Sequence, residues 1–382
     1  MASTLYSIAA LAFTVGLFWL IAAFVLKKPK KRPLTLFVVS FAVALILTPF
    51  VPDTSADIPA TTPTVQDISE ESSPLPSSTP APVPTTTPIP TPDENSYFQI
   101  TYIDVGQADS ALVECDGHFM LIDGGNVEDS DTIYTILKNN DASHLDAVVG
   151  THAHEDHIGG LSGALEYADA DVVYCPVTEY DSDAFADFKA RADENGGIVV
   201  PEIGDSFPLG SASVDILGLN ASDDANDTSI ILRIEYGDTS FLFTGDAEYA
   251  AEQAVLGEDL SADVLKVAHH GSETSTSYAF LDAVLPEYAI ISVGQDNSYG
   301  HPDDAVLSRL RDADVQVFRT DMQGDIVVTS DGETVTVTPS RNADAITNPT
   351  SVDGSGQNAS DPAYTDGNQQ ATPAPTPEPT PD

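Results

Sequence analysis

The sequence predicts an α/β fold for residues 97–340, preceded by two transmembrane helices. Within this segment, short apolar runs typical of buried strands alternate with stretches whose apolar residues recur at helical spacing. Two uncharged apolar runs lie near the start of the chain, and Pro-rich stretches flank the segment on both sides. A segment of about 240 residues is long enough to bury a sizeable core. We therefore expect one α/β domain.

The strands and helices are interleaved along the whole segment. The predicted strands cover residues 98–104, 111–115, 119–123, 147–150, 171–175, 213–217, 229–236, 241–244, 263–268, 288–293 and 315–319, with a closing hairpin around Ser330-Asp331-Gly332. The predicted helices cover residues 132–139, 182–195, 247–256, 277–285 and 304–312, with a further helix after Gly160. No internal repeat is evident, so these elements belong to a single unit.

The first 52 residues contain two apolar runs without charge, at 5–26 and 34–51, each about long enough to cross a bilayer as a helix. Five basic residues lie between them in the loop 27–32, which the positive-inside rule places in the cytoplasm. We therefore predict a cell-membrane protein whose α/β domain is extracytoplasmic. The alternative is that the second run is cleaved as a signal segment, and the domain is exported in either case.

Two stretches outside the domain are rich in Pro, Thr and Ser. Residues 53–96 favour polyproline II and are predicted to form a semi-rigid stalk. Residues 341–382 have the same composition and are predicted to form a disordered acidic tail.

Cys115 and Cys175 sit in apolar, strand-like runs and are predicted to be free buried thiols, with a disulfide as the alternative.

The portion after residue 52 is strongly acidic. The loop 27–32 takes five of the 14 Lys and Arg and leaves nine, whereas all 60 Asp and Glu lie in this portion. Neutralisation of phosphates by Lys and Arg supplies most non-specific affinity for nucleic acid, so we expect no broad basic surface for binding it. An acidic surface also suits solubility in a salty exterior.

A metal site is predicted directly after the apolar run 145–149. The segment reads Thr151-His152-Ala153-His154-Glu155-Asp156-His157. Imidazole and carboxylate together suit divalent zinc, manganese or iron. If the chain leaves the strand extended, His152, His154 and Asp156 point the same way. His157 breaks this alternation, so it and Asp156 can face a second ion while the other two histidines hold the first. We expect two divalent ions, zinc in the first place and manganese as the alternative.

Three further strand ends carry side chains of the metal-binding types. Asp246 follows a buried strand, where a carboxylate can bridge two metals; capping of the next helix is the alternative. His269 and His270 follow another strand, and period two prevents both from facing one point, so one is the ligand, with His270 preferred. His301 follows a third strand and can complete the metal shell or donate a proton to a leaving group, unless it is a surface turn residue.

Other strand–turn segments carry carboxylates before the histidine segment. Asp104, Asp109 and Asp123 are expected to support the metal-binding loops, and Asp123 in particular to hold one of these loops from behind, a role that metal-bound histidines usually require. His118 and His144 have no comparable setting, and we expect them to be structural.

These motifs resemble those of the metallo-β-lactamase fold hydrolases, on the segments Leu121-Ile122-Asp123-Gly124-Gly125, His152-Ala153-His154-Glu155-Asp156-His157 and Thr244-Gly245-Asp246. Three more are similar to the soluble hydrolase domain of the ComEC type of competence protein, a DNA-uptake channel: Asp104-Val105-Gly106-Gln107-Ala108-Asp109-Ser110, His269-His270-Gly271-Ser272 and Gly300-His301-Pro302. The resemblance covers about residues 97–324. It implies an αββα four-layer sandwich, with two sheets face to face, helices outside and the metals at one edge.

The sequence departs from this family in two respects. Lactamase-like members generally add a histidine between the cluster and the Gly-Asp strand, but no histidine occurs between Ile158 and Ala268. Asn226 stands in that region, as in the ComEC-like branch, and is expected to be a weak ligand or a supporting residue. The two predicted spans also cannot form the many-helix channel of the full competence protein, so we do not expect this chain alone to transport DNA.

The resemblance and the ligand types together predict a membrane-anchored, extracytoplasmic metal-dependent hydrolase that acts on phosphodiesters such as DNA or nucleotides. The expected ligands are His152, His154, Asp156, His157, Asp246 and one of His269 and His270. His301 or Ser272 is expected to contact the substrate. Two alternatives stay open, namely a hydrolase of amide or ester bonds that include β-lactams, and a non-catalytic binding module of a cell-envelope or competence complex.

Overall fold

The structure is a computed structural model that describes Pro92 and residues 96–349. The predictions of two transmembrane helices and a disordered tail beyond residue 349, and nearly all of the predicted stalk, lie outside the described residues. Within the described residues, no helix is both long enough and apolar enough to span a bilayer.

Seventeen strands and eight helices make up the described part of the domain. The strands are β1 Phe98–Tyr102, β2 Ser110–Cys115, β3 His118–Gly124, β4 His144–Leu145, β5 Ala147–Val149, β6 Asp169–Ala170, β7 Val173–Tyr174, β8 Ile198–Val199, β9 Ser206–Leu209, β10 Ala212–Gly218, β11 Ile231–Tyr236, β12 Thr239–Phe243, β13 Val264–Lys266, β14 Tyr288–Ile291, β15 Gln316–Arg319, β16 Ile326–Ser330 and β17 Val335–Pro339. The helices are α1 Ser130–Asn139, α2 Glu155–Ile158, α3 Leu161–Tyr167, α4 Asp183–Glu194, α5 Tyr249–Val255, α6 Tyr278–Val284, α7 Asp304–Asp312 and α8 Thr320–Gln323.

Every strand and helix predicted for residues 97–340 is present, with shifts of a few residues at the ends. The sequence does not predict β4, β6, β8 and β9, or the one-turn helices α2 and α8. Elements of two to four residues are too short to show a period of two or of 3.6, so tertiary contacts define them.

Two helices begin directly after a serine whose side chain caps them. Ser182 precedes α4 and its hydroxyl accepts the N–H of Phe185 at 3.1 Å. Ser277 precedes α6 and accepts the N–H of Phe280 at 3.2 Å. A cap of this kind stabilises a helix by about 1 kcal/mol because it satisfies a backbone donor that has no partner inside the helix.

The strands form two large sheets. The first has the order β17-β16-β1-β2-β3-β5-β7-β8 and the second the order β15-β14-β13-β12-β11-β10-β9, while β4 and β6 pair separately. Strands β3, β5, β7 and β8 run parallel, as do β12, β13, β14 and β15. The carboxyl ends of parallel neighbours lie at one edge of a sheet, where ligands bind in α/β proteins. This topology gathers the loops after β3, β5, β12, β13 and β14.

Three buried apolar clusters define four layers. The cluster between the sheets includes Phe98, whose ring stacks on those of Tyr236 and Phe241 with 4.8 Å between centroids. A second cluster packs α1, α3 and α4 on the outer face of the first sheet, and a third packs α5, α6 and α7 on the outer face of the second. The αββα arrangement is therefore confirmed. Cys115 and Cys175 are free and buried, as predicted, and lie in different clusters.

Candidate metal centre

The histidine segment follows β5 at the carboxyl edge of the first sheet. Thr151, the first residue of this segment, is held by Asp123 near the end of the neighbouring strand β3. The backbone N–H of Thr151 donates to Oδ1 of Asp123 at 2.7 Å, and its hydroxyl donates to Oδ2 at 2.8 Å. His154 has an extended backbone, and its Nδ1 lies 3.0 Å from Nε2 of His152. These two histidines therefore face each other, as the period of two predicts.

The same prediction is wrong for Asp156, because the chain does not stay extended that far. Helix α2 begins directly after His154, whose carbonyl accepts the N–H of Ile158 at 3.0 Å. Space for this turn comes from Gly160, where a Cβ atom would clash with the carbonyl of Gly124. This close approach of two backbone segments lets α2 pack against the end of β3.

His157 lies between two buried carboxylates. Its Nδ1 is 2.8 Å from Oδ2 of Asp123, and its Nε2 is 3.2 Å from Oδ1 of Asp246. Both Nε2 of His157 and Oδ1 of Asp246 are buried without a hydrogen-bond partner. Buried polar atoms without partners are rare, since each costs the free energy of its lost hydration. An imidazole nitrogen and a carboxylate oxygen that face each other in this way fit a bound cation.

His269 and His270 both turn toward Asp246, which corrects the prediction that only one of the pair can do so. The chain after β13 is not extended, because both histidines adopt left-handed backbone conformations with φ of 51° and 53°. Nε2 of His269 lies 3.7 Å from Oδ2 of Asp246, and Nε2 of His270 lies 3.9 Å from the same oxygen. Such conformations cost non-glycine residues of the order of 1–3 kcal/mol and cluster at functional sites.

Asp246 thus lies at the centre of the histidines. Its Oδ2 lies 3.9 Å from Nε2 of His152 and also faces His269 and His270, while its Oδ1 faces His157. Asp156, His157, Asp246 and His270 each place a ligand atom within 4.8 Å of the others. This donor set can hold divalent cations.

Burial and mutual charge interactions shift the pKa values of these groups. Burial alone would raise the pKa of Asp246, but the imidazoles of His157 and His269 hold it well below its usual value. Burial would likewise lower the pKa of His157, but Asp246 and Asp123 raise it well above its usual value. Burial and the neighbouring His157 lower the pKa of His152, so its ring is neutral at neutral pH and can bind a metal. The donor set therefore fits divalent cations.

A buried lysine lies behind His270 and is not predicted from the sequence. Nδ1 of His270 lies 3.0 Å from the carbonyl of Ser292 and 3.3 Å from Oδ1 of Asp109, while Oδ2 of Asp109 lies 2.6 Å from Nζ of Lys266. Burial opposes ionisation of Asp109, but Lys266 and His270 lower its pKa to about 2. A single charge within the apolar run 264–268 is the sequence signal that points to Lys266.

Glu248 occupies the corresponding place behind His269 and is also not predicted. Its Oε1 lies 3.3 Å from Nδ1 of His269 and accepts the hydroxyl of Thr274 at 2.9 Å. Asn226 and Ser272 meet this group rather than Asp246, since Asn226 Nδ2 lies 3.4 Å from Glu248 Oε1 and the Ser272 hydroxyl lies 3.0 Å from that of Thr274. In the structure the side chain of each is therefore separated from the ring of His269 by one intervening residue, Glu248 for Asn226 and Thr274 for Ser272.

His301 lies at the rim of the centre, with its ring 5.7 Å from that of His269 and its Nδ1 buried without a hydrogen-bond partner. Burial and the nearby histidines lower its pKa to about 4, so the ring is neutral at pH 7.

Asp104 was expected to support the metal loops, but its carboxylate instead accepts a hydrogen bond from Arg341 at 3.0 Å and its backbone N–H donates to Asp325. These contacts join it to the C-terminal end of the domain.

Replacing Asp123 by asparagine is expected to weaken metal binding by about 10–100-fold, because partners that orient a metal-bound histidine contribute that much to affinity. An asparagine cannot hold His157 Nδ1 and the Thr151 hydroxyl as the charged carboxylate does. Metal affinity of the full chain, measured by competition with a chromogenic chelator, checks this. The matched control is Asp146→Asn, since Asp146 lies 2.7 Å from the exposed His118. Equal affinity in Asp123→Asn and Asp146→Asn would refute the assigned role.

The geometry has parallels among known proteins. A family model described as the metallo-beta-lactamase superfamily matches residues 103–295. The chain is 31% identical over 252 residues to ComE operon protein 3 of Bacillus subtilis, a match that covers 60% of this chain and 32% of that protein. It is 32% identical over 233 residues to competence protein ComA of Neisseria gonorrhoeae, covering 59% of this chain and 31% of that one. The chain thus matches about a third of the length of these relatives.

Solved structures include a more distant match. A metallo-beta-lactamase fold protein of Bacillus subtilis, YhfI, is 14% identical with a TM-score of 0.46, over 62% of this chain and all of the other. The residues that the family model matches include the histidine segment, Asp246 and the His269-His270 pair. Within the part that the family model matches, this chain has no histidine between residues 158 and 268.

Proposed function

The chain belongs to the metallo-beta-lactamase superfamily and is a hydrolase related to competence proteins, and we propose that it cleaves phosphodiester bonds, such as those of DNA or nucleotides. One observation carries this proposal, namely that both carboxylate oxygens of Asp246 face histidine nitrogens, Oδ1 that of His157 and Oδ2 those of His152, His269 and His270. Sites that hold two divalent ions stabilise both the attacking and the leaving oxygen in phosphodiester cleavage.

In this proposal the ligands divide about Asp246. His152, His154 and His269 would hold one ion, and Asp156, His157 and His270 would hold the other. Asp246 would be a ligand common to both groups, because its Oδ1 faces His157 and its Oδ2 faces His152, His269 and His270. Zinc suits this imidazole-rich set, and manganese is the alternative because carboxylates are present on both sides. The chemistry that such ions supply is polarisation of the phosphoryl oxygen and a lower pKa for a water molecule.

The residues around the ligands hold them ready for this chemistry. Asp123 accepts from the outer nitrogen of His157, and the carbonyl of Ser292 accepts from that of His270, which leaves the inner nitrogens of both rings directed at Asp156 and Asp246. His301 is neutral at pH 7 and can donate a hydrogen bond to a substrate oxygen from its ring N–H. We therefore assign His301 to substrate binding, and Ser272, which bonds Thr274, to support of the same rim.

We further propose that the domain acts outside the cytoplasm and is anchored in the cell membrane. The support is the pair of uncharged runs at 5–26 and 34–51 with the basic loop between them. The membrane is then one partner of the chain, and a nucleotide or DNA is the proposed substrate. The mainly acidic composition after residue 52 supports neither a broad basic surface nor a role in wrapping long duplexes.

A second candidate function is hydrolysis of an ester or amide bond, which includes β-lactams. The acidic surface supports it, because neutral or cationic substrates experience no repulsion there. Turnover of a chromogenic lactam or ester, with no turnover of phosphodiesters, would establish this function instead. A non-catalytic binding module of an envelope or competence complex predicts that neither class of substrate is turned over.

Replacing Asp156 by alanine is expected to abolish phosphodiester hydrolysis, because the ligand group of Asp156, His157, Asp246 and His270 then loses one of its two carboxylates. The measurement is hydrolysis of bis(p-nitrophenyl) phosphate by the full chain, loaded in parallel with zinc, manganese or iron. The matched control is Asp187→Ala on the exposed face of α4, which should retain full activity. Absence of hydrolysis by the wild type with all three metals would disprove the phosphodiesterase proposal.

A further inference from the structure

The basic side chains of the domain are all engaged within the chain itself. Nine Lys and Arg follow residue 52, and all nine are among the described residues. Arg309 and Arg311 donate to backbone carbonyls, and Lys138 to the hydroxyl of Tyr134. The other six form ion pairs with carboxylates, namely Lys189, Arg191, Arg233, Lys266, Arg319 and Arg341.

None of these cations is placed to hold the backbone of a polymer at the centre. Among the described residues, Lys266 is the one basic side chain that reaches the candidate ligands, and it does so from behind, through Asp109 and His270. It is buried and cannot contact a substrate. Affinity for a nucleic acid chain depends on neutralisation of successive phosphates by Lys and Arg. The affinity for substrate must therefore come from the centre itself and from uncharged groups at its rim.

The rim offers aromatic rings instead of cations. The ring of His301 lies 5.7 Å from that of His269 and, on its other side, 5.7 Å from that of Tyr299, almost parallel to it at 22°. Tyr299 is 41% exposed. The three rings thus form a series that leads from Asp246 outward to solvent. A base can stack on an exposed aromatic ring whatever its identity, because every base has a π face.

Asn297 holds this ring series in place. Its Oδ1 accepts the backbone N–H groups of Tyr299, Gly300 and His301 at 3.2, 2.9 and 3.1 Å, and its Nδ2 donates to the carbonyls of Gly294 and His301 at 3.0 and 2.7 Å. One half-buried amide therefore ties the loop after β14 together through five hydrogen bonds. A preorganised aromatic surface binds a ligand with a smaller loss of conformational entropy.

We propose that Tyr299 is a specificity-determining residue that stacks the base of one nucleotide unit beside the scissile phosphodiester, and that the substrate class is short nucleotides rather than long nucleic acid. This inference rests on the proposed phosphodiesterase function and names its substrate. The ring series supplies contact for one base next to the centre. Within residues 96–349, no basic side chain is left without an internal partner to bind additional phosphates.

The test compares two substrates with the same leaving group, thymidine 5′-(p-nitrophenyl phosphate) and methyl p-nitrophenyl phosphate. For the full chain, Tyr299→Ala is expected to raise KM for the thymidine compound about tenfold, in line with the loss of one base–aromatic stack. KM for the methyl compound should not change. Tyr299→Phe should behave as the wild type, and so should Tyr134→Ala, a tyrosine of similar exposure at 38% that lies on α1. An equal effect on both substrates, or none, overturns the inference.

A second measurement addresses chain length without any substitution. Oligothymidylates of increasing length should be cleaved with a nearly constant kcat/KM that depends weakly on salt. A protein that binds along the strand instead shows a log–log salt slope of about 0.7 per phosphate contacted. A kcat/KM that rises with length and falls steeply with salt therefore overturns the inference. If the wild type hydrolyses none of these phosphodiesters, the proposed function itself fails, which is a distinct outcome.

Discussion

Replacing Asp246 by asparagine is expected to lower kcat/KM for a phosphodiester by about a thousandfold or more. Asp246 faces His152, His157, His269 and His270 with its two oxygens, so one substitution affects both proposed ions. Asparagine keeps the shape of the side chain but removes the negative charge that a bridging ligand supplies. Loss of several kcal/mol of charge stabilisation at the transition state corresponds to a factor of this size.

Elemental analysis and kinetics of the same sample check this prediction. The wild type is expected to bind two equivalents of divalent metal, and Asp246→Asn fewer. The matched control is Asp227→Asn, since Asp227 is also buried but accepts from the backbone of Glu248 and Ala251 and from the hydroxyl of Ser222. That variant should lose stability and keep its metal. Full metal content and activity in Asp246→Asn would contradict the proposed bridging role.

Replacing Lys266 by methionine is expected to lower the free energy of unfolding by about 3–5 kcal/mol, because it leaves the charge of Asp109 buried without its partner. Both side chains are almost completely inaccessible to solvent, and their charged atoms lie 2.6 Å apart. Methionine matches the length of the lysine side chain, so the loss of packing is small. Urea denaturation of the full chain, followed by the ellipticity of the domain, measures the change.

Two comparisons separate charge from packing in this experiment. The double variant Asp109→Asn/Lys266→Met should recover much of the lost stability, because neither side chain then carries a charge. Arg191→Met removes a surface cation that pairs with Glu166 at 3.0 Å, and should cost about 1 kcal/mol or less. If the double variant is as unstable as Lys266→Met alone, the unpaired charge is not the cause.

Most of the secondary structure could be predicted because buried strands and amphipathic helices impose their periods on the sequence. The run at 241–244 and the helical spacing at 304–312 both appear in the structure with small shifts, as β12 and α7. The two-residue strands β4 and β6 could not be predicted, because their pairing depends on segments that are distant in sequence.

The ligand types could also be predicted, because imidazole and carboxylate side chains at strand ends have few other common roles. Their directions could not. The sequence predicts an extended chain at Asp156 and at the His269-His270 pair, and neither segment is extended. The reason is that the dihedral angles after a strand are set by the contacts that the turn makes. The α2 helix turns Asp156 toward His270, and two left-handed residues turn both histidines toward Asp246.

The sequence by itself determined the α/β class, the positions of the strands and the presence of a histidine-rich site, because these depend on periodicity and residue type along the chain. Only the tertiary structure decided that Asp246 faces four histidines with its two oxygens, that Lys266 and Glu248 stand behind His270 and His269, and that Tyr299 ends a series of rings. The physical reason is that these contacts join residues from different strands of two sheets. Their distances are fixed when the sheets pack, and no local pattern of residues records them.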